Sequence, residues 1–398
     1  MISLALNILD WVLLGILAAL FIGQLYFCFR YLCAPLRKMH RDKISEGIQP
    51  LTIDGTPGVS VVLCAHNESD NLSQYLQALL TQDWPEYEVI VVDDGSEDET
   101  RAIVESYMVR DPRLHMTFVP LGARVGSTKK LALTLAAKAS QYDYLLLTDA
   151  DCVPESNRWI AQMMHGFAGN KDIVLGFGAY FYEKGHVNRL VRYDTLLNGL
   201  HYLGAALCGH PYMGVGRNLA YRKSFFFESG GFTQMMGNYA GDDDLFVNHV
   251  ATHKNTAVVL SRDSFTWSPA KTTMREWWQQ KRRHLSVSPN YRESTKVRLA
   301  LEPVSRGLFY ALTLAMLILY WPAVQIWPFA IGVITIPFLV APVLFLLRWI
   351  ILTSIMNTAA RKMLLHRFNM FSVLWFDISL PLVALYMLMV PKRNMKKW

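Results

Sequence analysis

The sequence predicts an α/β domain with a mainly parallel central sheet, held between N-terminal and C-terminal transmembrane helices. Two patterns lead there: the apolar excess of the 398-residue chain, 52% hydrophobic overall, is crowded at its two ends. Between those ends, apolar strand-like runs alternate with helix-like stretches in the order of βα units.

Residues 8–33 (ILDWVLLGILAALFIGQLYFCFRYLC) are long enough to cross a hydrocarbon core and are followed by Arg37, Lys38, Arg41 and Lys43. That order reads as a retained anchor with its basic side in the cytoplasm, because the first Lys or Arg is Arg30 and a cleaved leader wants a basic start. Further spans are expected at 307–327, 328–347 and 371–390, separated in part by Arg361, Lys362, His366 and Arg367. Counting each as a crossing puts the basic tail 391–398 (PKRNMKKW) on the far side, against the positive-inside tendency. One of these segments, or the stretch 348–357, is therefore expected to be re-entrant or interfacial. The expected division is an anchor over 1–48, a cytoplasmic domain over 49–298 and a transmembrane region over 299–398 of a multi-pass inner-membrane protein.

The net charge of +7 lies mostly in membrane-flanking clusters, which makes anionic lipid headgroups the natural partners; no aromatic-interleaved basic stretch points to nucleic acid. Five cysteines show no CxxC pair and no metal spacing, as suits a reduced setting.

After a Pro/Gly-containing linker, strands are expected at 59–65 (VSVVLCA), 87–92 (YEVIVV), 114–119 (LHMTFV) and 142–148 (YDYLLLT), with helices at 70–81, 98–109 and 127–140. In right-handed βα sheets ligands bind at the carboxyl ends of strands. The second strand ends in Asp93-Asp94-Gly95-Ser96 and the fourth in Asp149-Ala150-Asp151. Extended backbone alternates side chains with period two, so Asp149 and Asp151 can face one ligand, which suits Mg²⁺ or Mn²⁺ bridging two phosphates. A lone DxD is more often a polar turn; its position after a strand is what raises its weight.

The motifs AHNE (65–68), DDGS (93–96), DAD (149–151), GVGRNLAYRKS (214–224), GDDDL (241–245) and QKRRH (280–284) resemble, in that order, those of family 2 glycosyltransferases. The resemblance covers about 59–284. It implies a GT-A type nucleotide-sugar-binding domain, a nucleotide-sugar donor (UDP in most members) and inversion at the anomeric carbon. By position, Glu68 and Asp94 look like nucleoside contacts with Asp93 beside them, Asp151 like the metal ligand, and Asp149 like a donor-sugar or ribose contact that shares the metal site. Lys129 and Lys130 resemble the family's basic helix start near the diphosphate, and a solvated helix terminus is the equal alternative.

The GDDDL segment stands where the family carries Glu-Asp-x-Asp-Leu, without the leading Glu. Alignment on the final Asp-Leu makes Asp242 the general base, and counting from Gly241 makes it Asp243; the first is preferred. In QKRRH, histidine replaces the tryptophan of the polymerising members' Gln-x-x-Arg-Trp. Gln280, Arg283 and His284 remain candidates for acceptor or diphosphate contacts, with Arg217 and Asn218 as secondary ones. The GARVGSTKK and GVGRNL stretches fail the Walker and dinucleotide patterns, which removes kinase and dehydrogenase readings.

The expected function is sugar transfer to a lipid-linked or glycan acceptor at the cytoplasmic face of a bacterial envelope. The alternatives are a polymerising synthase coupled to export and a non-catalytic nucleotide-sugar-binding scaffold. A transporter is a weaker rival, since Asp377 is the ionisable group that lies clearly inside an expected span.

Overall fold

The computed structural model describes residues 2–3, 6–45, 56–120, 127–237, 240–321 and 334–389. The tail 391–398, most of the linker and residues 322–333 of the expected second and third spans lie outside the described residues.

A strand pair of two residues each, β1 (Ile2–Ser3) with β12 (Ile334–Thr335), brings the start of the chain beside a C-terminal helix. Helix α1 (Ile8–Phe27) opens with an Asn7–Asp10 capping box, passes through a π-helical turn over Cys28–Leu32, and continues as the polar α2 (Cys33–Ser45). The π turn frees backbone carbonyls, and Arg37 answers two of them by donating to Phe29 O (2.7 Å) and Arg30 O (3.3 Å).

The expected βα run is present. It comprises β2 (Val59–Ala65), α3 (Ser69–Leu80), β3 (Tyr87–Asp93), α4 (Thr100–Met108), β4 (Leu114–Phe118), α5 (Thr128–Ala139) and β5 (Tyr144–Leu147). The β-branched run of β2 splits by alternation. Val59, Val61 and Leu63 pack under α3 and α4, whereas Val62 joins the core on the side of α5.

Beyond it the chain forms β6 (Val153–Pro154), α6 (Trp159–Met164), β7 (Ile173–Leu175), β8 (Gly178–Tyr180), α7 (His186–Leu207), β9 (Leu219–Arg222) and α8 (Lys223–Glu228). Then follow α9 (Asp244–Val250), β10 (Thr256–Val258), β11 (Thr266–Ser268) and α10 (Met274–Leu285). The main sheet runs β10-β7-β9-β5-β2-β3-β4; its neighbours are parallel except around β9, which is antiparallel to both β5 and β7. A small sheet β6-β11-β8 flanks it.

Helices α11 (Glu293–Leu319), α12 (Ile336–Lys362) and α13 (Met370–Met389) complete the chain, and these three with α1 are long and apolar enough to cross a membrane. The expected boundaries change here: residues 348–357 are not a separate re-entrant stretch but the middle of α12. Arg348 tolerates that position because Asp377 of α13 receives its guanidinium at 2.5 Å, so its charge needs no water. Asp377 is likewise not the single ionisable group in these helices, since Arg306 of α11 also reaches it at 2.6 Å.

Helix α7 joins the sheet domain to the anchor, and its closest approach depends on Gly204. A Cβ there would stand 2.1 Å from Tyr31 O on the π turn. Gly204→Ala is therefore expected to cost about 1–3 kcal/mol through forced backbone separation; a thermal unfolding midpoint in detergent equal to the parent's would contradict that contact.

Candidate active site

The carboxyl ends of β2, β3 and β5 meet the loop before α9, and their acids gather around one lysine. Ser127 caps α5 by accepting from Lys130 N, which directs Lys129 across the strand ends. Lys129 Nζ lies 2.9 Å from Asp149 Oδ1 and 3.4 Å from Asp242 Oδ2. Burial alone would lower its pKa, but Asp149, Asp242 and Asp243 outweigh burial and hold the ammonium well above its usual range. Burial would raise Asp149, and Lys129 reverses this, so Asp149 stays ionised. Asp151 has no such bonded cation: burial and then the Asp149 charge push its carboxyl up.

Asp149, Asp151 and Cys152 place ligand atoms within 4.8 Å of one another. The two carboxylates fit a hard divalent cation. Cys152 does not, because burial and the neighbouring acids keep its thiol protonated, and it donates to Asp151 Oδ1 at 3.3 Å.

The three acids of the GDDDL segment divide sharply. Asp242 faces Lys129. Asp243 is engaged by its own backbone surroundings, accepting from Gly216 N (2.7 Å) and Asp244 N (2.8 Å) as the cap of α9; burial and Asp242 raise it to about 6. Asp244 is buried beneath the site and hydrogen-bonded to Tyr291. Gly241, at φ +85°, supplies the turn that lets three adjacent acids diverge.

On the other flank, Glu68 accepts from Asn71 Nδ2 at 2.6 Å, and burial raises its pKa. Asp94 bonds Thr128 and is likewise raised by burial, so both sit near the strand ends that carry the aspartates. Asp93 turns inward, accepting from Ser96 N at 2.9 Å to close its own loop.

Several expected contacts are placed elsewhere. Lys130 is fully buried and donates to Ala240 O (2.8 Å), bracing the loop before Asp242 instead of facing the cleft. Asn218 is also fully buried; it donates to Phe177 O and Ser264 O and accepts from Trp159 Nε1, so it cannot touch an acceptor. Arg217 spends its guanidinium on Ser268 Oγ (2.8 Å) and the carbonyls of Gly178 and Ala179, lying 4.2 Å over the Tyr180 ring. Its charge still reaches Asp149 and Asp151.

Helix α10 begins with a Thr273–Glu276 capping box and brings Gln280, Arg283 and His284 to the same cleft. Gln280 Nε2 donates to Tyr180 OH at 3.0 Å. Arg283 acts on Asp149 through its charge. His284 lies in an open part of the cleft beside Arg283. Tyr180, which joins Arg217 to Gln280, is a residue that no sequence pattern marked, because a three-residue strand brings it there.

This arrangement, acids and a bridging lysine at the carboxyl edge of a mainly parallel sheet, is that of a GT-A fold. The mannosyltransferase PcManGT from Pyrobaculum calidifontis, in complex with GDP-Man and Mn²⁺, matches it with a TM-score of 0.50 at 18% identity over 87% of this chain and 99% of that one. Residues 60–229 match the model for Glycosyl transferase family 2. A poly-beta-1,6-N-acetyl-D-glucosamine synthase of Staphylococcus epidermidis is 31% identical over 96 residues, 24% of this chain and 22% of the relative. Glycosyltransferase AglE of Haloferax volcanii is 30% identical over 145 residues, 36% of this chain and 46% of the relative. The chain thus spans less than half the length of either curated relative.

Two outcomes are expected. Asn218→Ala orphans Trp159 Nε1 and two carbonyls and should lower stability by roughly 2 kcal/mol or more; an unchanged melting curve would contradict the buried role. Because Asp151 is raised, Mn²⁺ affinity followed by electron paramagnetic resonance should weaken as pH falls while ordinary aspartates remain ionised. Affinity that holds until about pH 3.9 would show Asp151 to be unshifted.

Proposed function

We propose that this chain is an inverting glycosyltransferase that moves a sugar from a nucleotide-sugar, UDP-hexose or UDP-N-acetylhexosamine, to a lipid-linked or glycan acceptor at the cytoplasmic membrane face. The observation that carries this reading is the Lys129 bridge, which sets an acid suited to proton abstraction, Asp242, beside the acids suited to a diphosphate, Asp149 and Asp151. Single displacement needs that pairing: as the acceptor hydroxyl attacks the anomeric carbon, its proton passes to a carboxylate while the nucleoside diphosphate departs.

Asp242 takes the proton. Asp243 is less suited, because both its oxygens already accept backbone N–H groups, so its part is to hold the loop and α9 in place. Asp149 and Asp151 would hold Mg²⁺ or Mn²⁺, which when bound offsets charge on the leaving diphosphate. Lys129 and Arg283 add positive charge on the same side, and Glu68 and Asp94 would contact the nucleoside. Gln280 and His284 line the approach of the acceptor. A polymerising version of this reaction is the second reading, favoured by the synthase relative and by the contact of α10 with the apolar helix α13.

A donor screen on protein in lipid, following UDP or GDP release with and without Mg²⁺ or Mn²⁺, tests the reading. Metal-dependent release is expected, with a loss of about 10²–10⁴ in Asp242→Asn while donor affinity persists. Asp151→Ala should abolish the response to metal, and Asp243→Asn should cost less than Asp242→Asn. The opposite ranking would move the base to Asp243, and donor binding without turnover in the presence of acceptor would favour a scaffold.

A further inference from the structure

We propose that α13 does not cross the bilayer but lies along its cytoplasmic surface, so that the chain crosses three times and its basic tail ends on the side of the sheet domain. The inference stands apart from the glycosyl transfer reading, because it rests on how α13 packs and not on the site.

By composition α13 equals a span, with twenty residues and a window hydropathy of 1.8. It packs along the inner half of α12 and also touches α7 and α10, and its place in the apolar clusters differs from that of the other three. The apolar core of the bundle, built on Leu17, Phe309, Met316 and Ala341, is drawn from α1, α11 and α12, and among the described residues α13 contributes nothing to it. Val373, Phe376 and Leu380 of α13 instead join the cluster in which the sheet domain meets Cys28 and Leu32 of the π turn and Leu352, Met356 and Ala360 of α12.

Both halves of α13 touch that domain. Near its start Arg189 Nη1 of α7 donates to Ser372 Oγ (3.4 Å), and the Tyr193 ring lies 5.1 Å from Phe376. Near its end the Tyr386 ring lies 5.8 Å from Trp278 of α10. Ser372 and Tyr386 are about 21 Å apart along a helix. A helix crossing upright would carry Tyr386 that far into the bilayer, beyond the reach of α10, whose neighbouring Trp277 is buried in the sheet-domain core.

The rest of α13 fits a helix half in lipid. Phe371, Trp375, Ile378, Leu382, Leu385 and Met389 are exposed and recur every three or four residues, forming one stripe opposite the packed one. Asp377 sits where α13 passes the inner end of the bundle and gathers Arg306, Arg348 and the Tyr310 hydroxyl. Arg348 lies about 18 Å along α12 from Ile336, which puts this junction in the inner half of a core about 30 Å thick. Buried there, the ion pairs close the bundle end onto α13.

Charge agrees with this placement. With α1 entering, α11 leaving and α12 returning, Lys392, Arg393, Lys396 and Lys397 fall on the inner side, where anionic lipids attract them. A crossing α13 would put four cations outside. The consequence is that α13 holds α10, and with it Gln280 and Arg283, at headgroup level.

Epitope tags at each end of the full chain, probed in intact cells and inverted vesicles, decide the matter without reading activity. Three crossings put the N-terminal tag outside and the C-terminal tag inside, and four put both on one side, which would overturn the proposal. As a second arm, Leu382→Arg should keep wild-type membrane levels and tag pattern, because a surface helix lets the charge reach water. Loss of the protein from the membrane in that variant would likewise count against a surface helix.

Discussion

One ammonium group makes this site compatible with a folded protein. Six carboxylates, from Glu68, Asp94, Asp149, Asp151, Asp242 and Asp243, converge on the same edge of the sheet, and gathered acids raise one another's pKa. Lys129 bonds one, Asp149, and lies 3.4 Å from another, Asp242, from a separate segment of the chain. The adjacent Lys130 does different work: its amine holds Ala240 O and so fixes the loop that delivers Asp242. Two consecutive lysines thus set both ends of one electrostatic bridge, one by charge and the other by position.

The same economy links the site to the membrane helices. Lys281 of α10 bonds Asp194 of α7 at 2.7 Å, while Gln280 one residue earlier bonds Tyr180, whose ring carries Arg217. Helix α7 in turn seats Gly204 against the π turn and Tyr193 against α13. Movement of the bundle relative to the sheet would therefore strain the cleft, because α7 and α10 belong to both. Buried pairs of this kind contribute little net stability but make a wrong arrangement costly.

The first half of the sheet was legible in the sequence because its strands are long and β-branched: the expected run 59–65 coincides with Val59–Ala65. The second half was not. Strands β7 and β10 are three residues each, and β9, antiparallel between two parallel partners, follows a long helix without a hairpin signal. Motif order located the acids but not their oxygens. Whether Asp243 is free depends on Gly216 N, and whether Asn218 faces a ligand depends on Phe177 and Ser264, contacts set by the completed fold. The extent of α12 was misread for a related reason, since Arg348 breaks an apolar pattern in sequence but is answered by Asp377 in space.

Whether Lys129 and Asp242 act as one unit is tested most directly by a kinetic cycle on donor turnover with Lys129→Met, Asp242→Asn and the double variant. If the bridge is one device, the double variant should be no slower than the slower single, since groups that act together lose their effect together. Rate losses that multiply would mean that the two residues contribute independently, and would contradict the account.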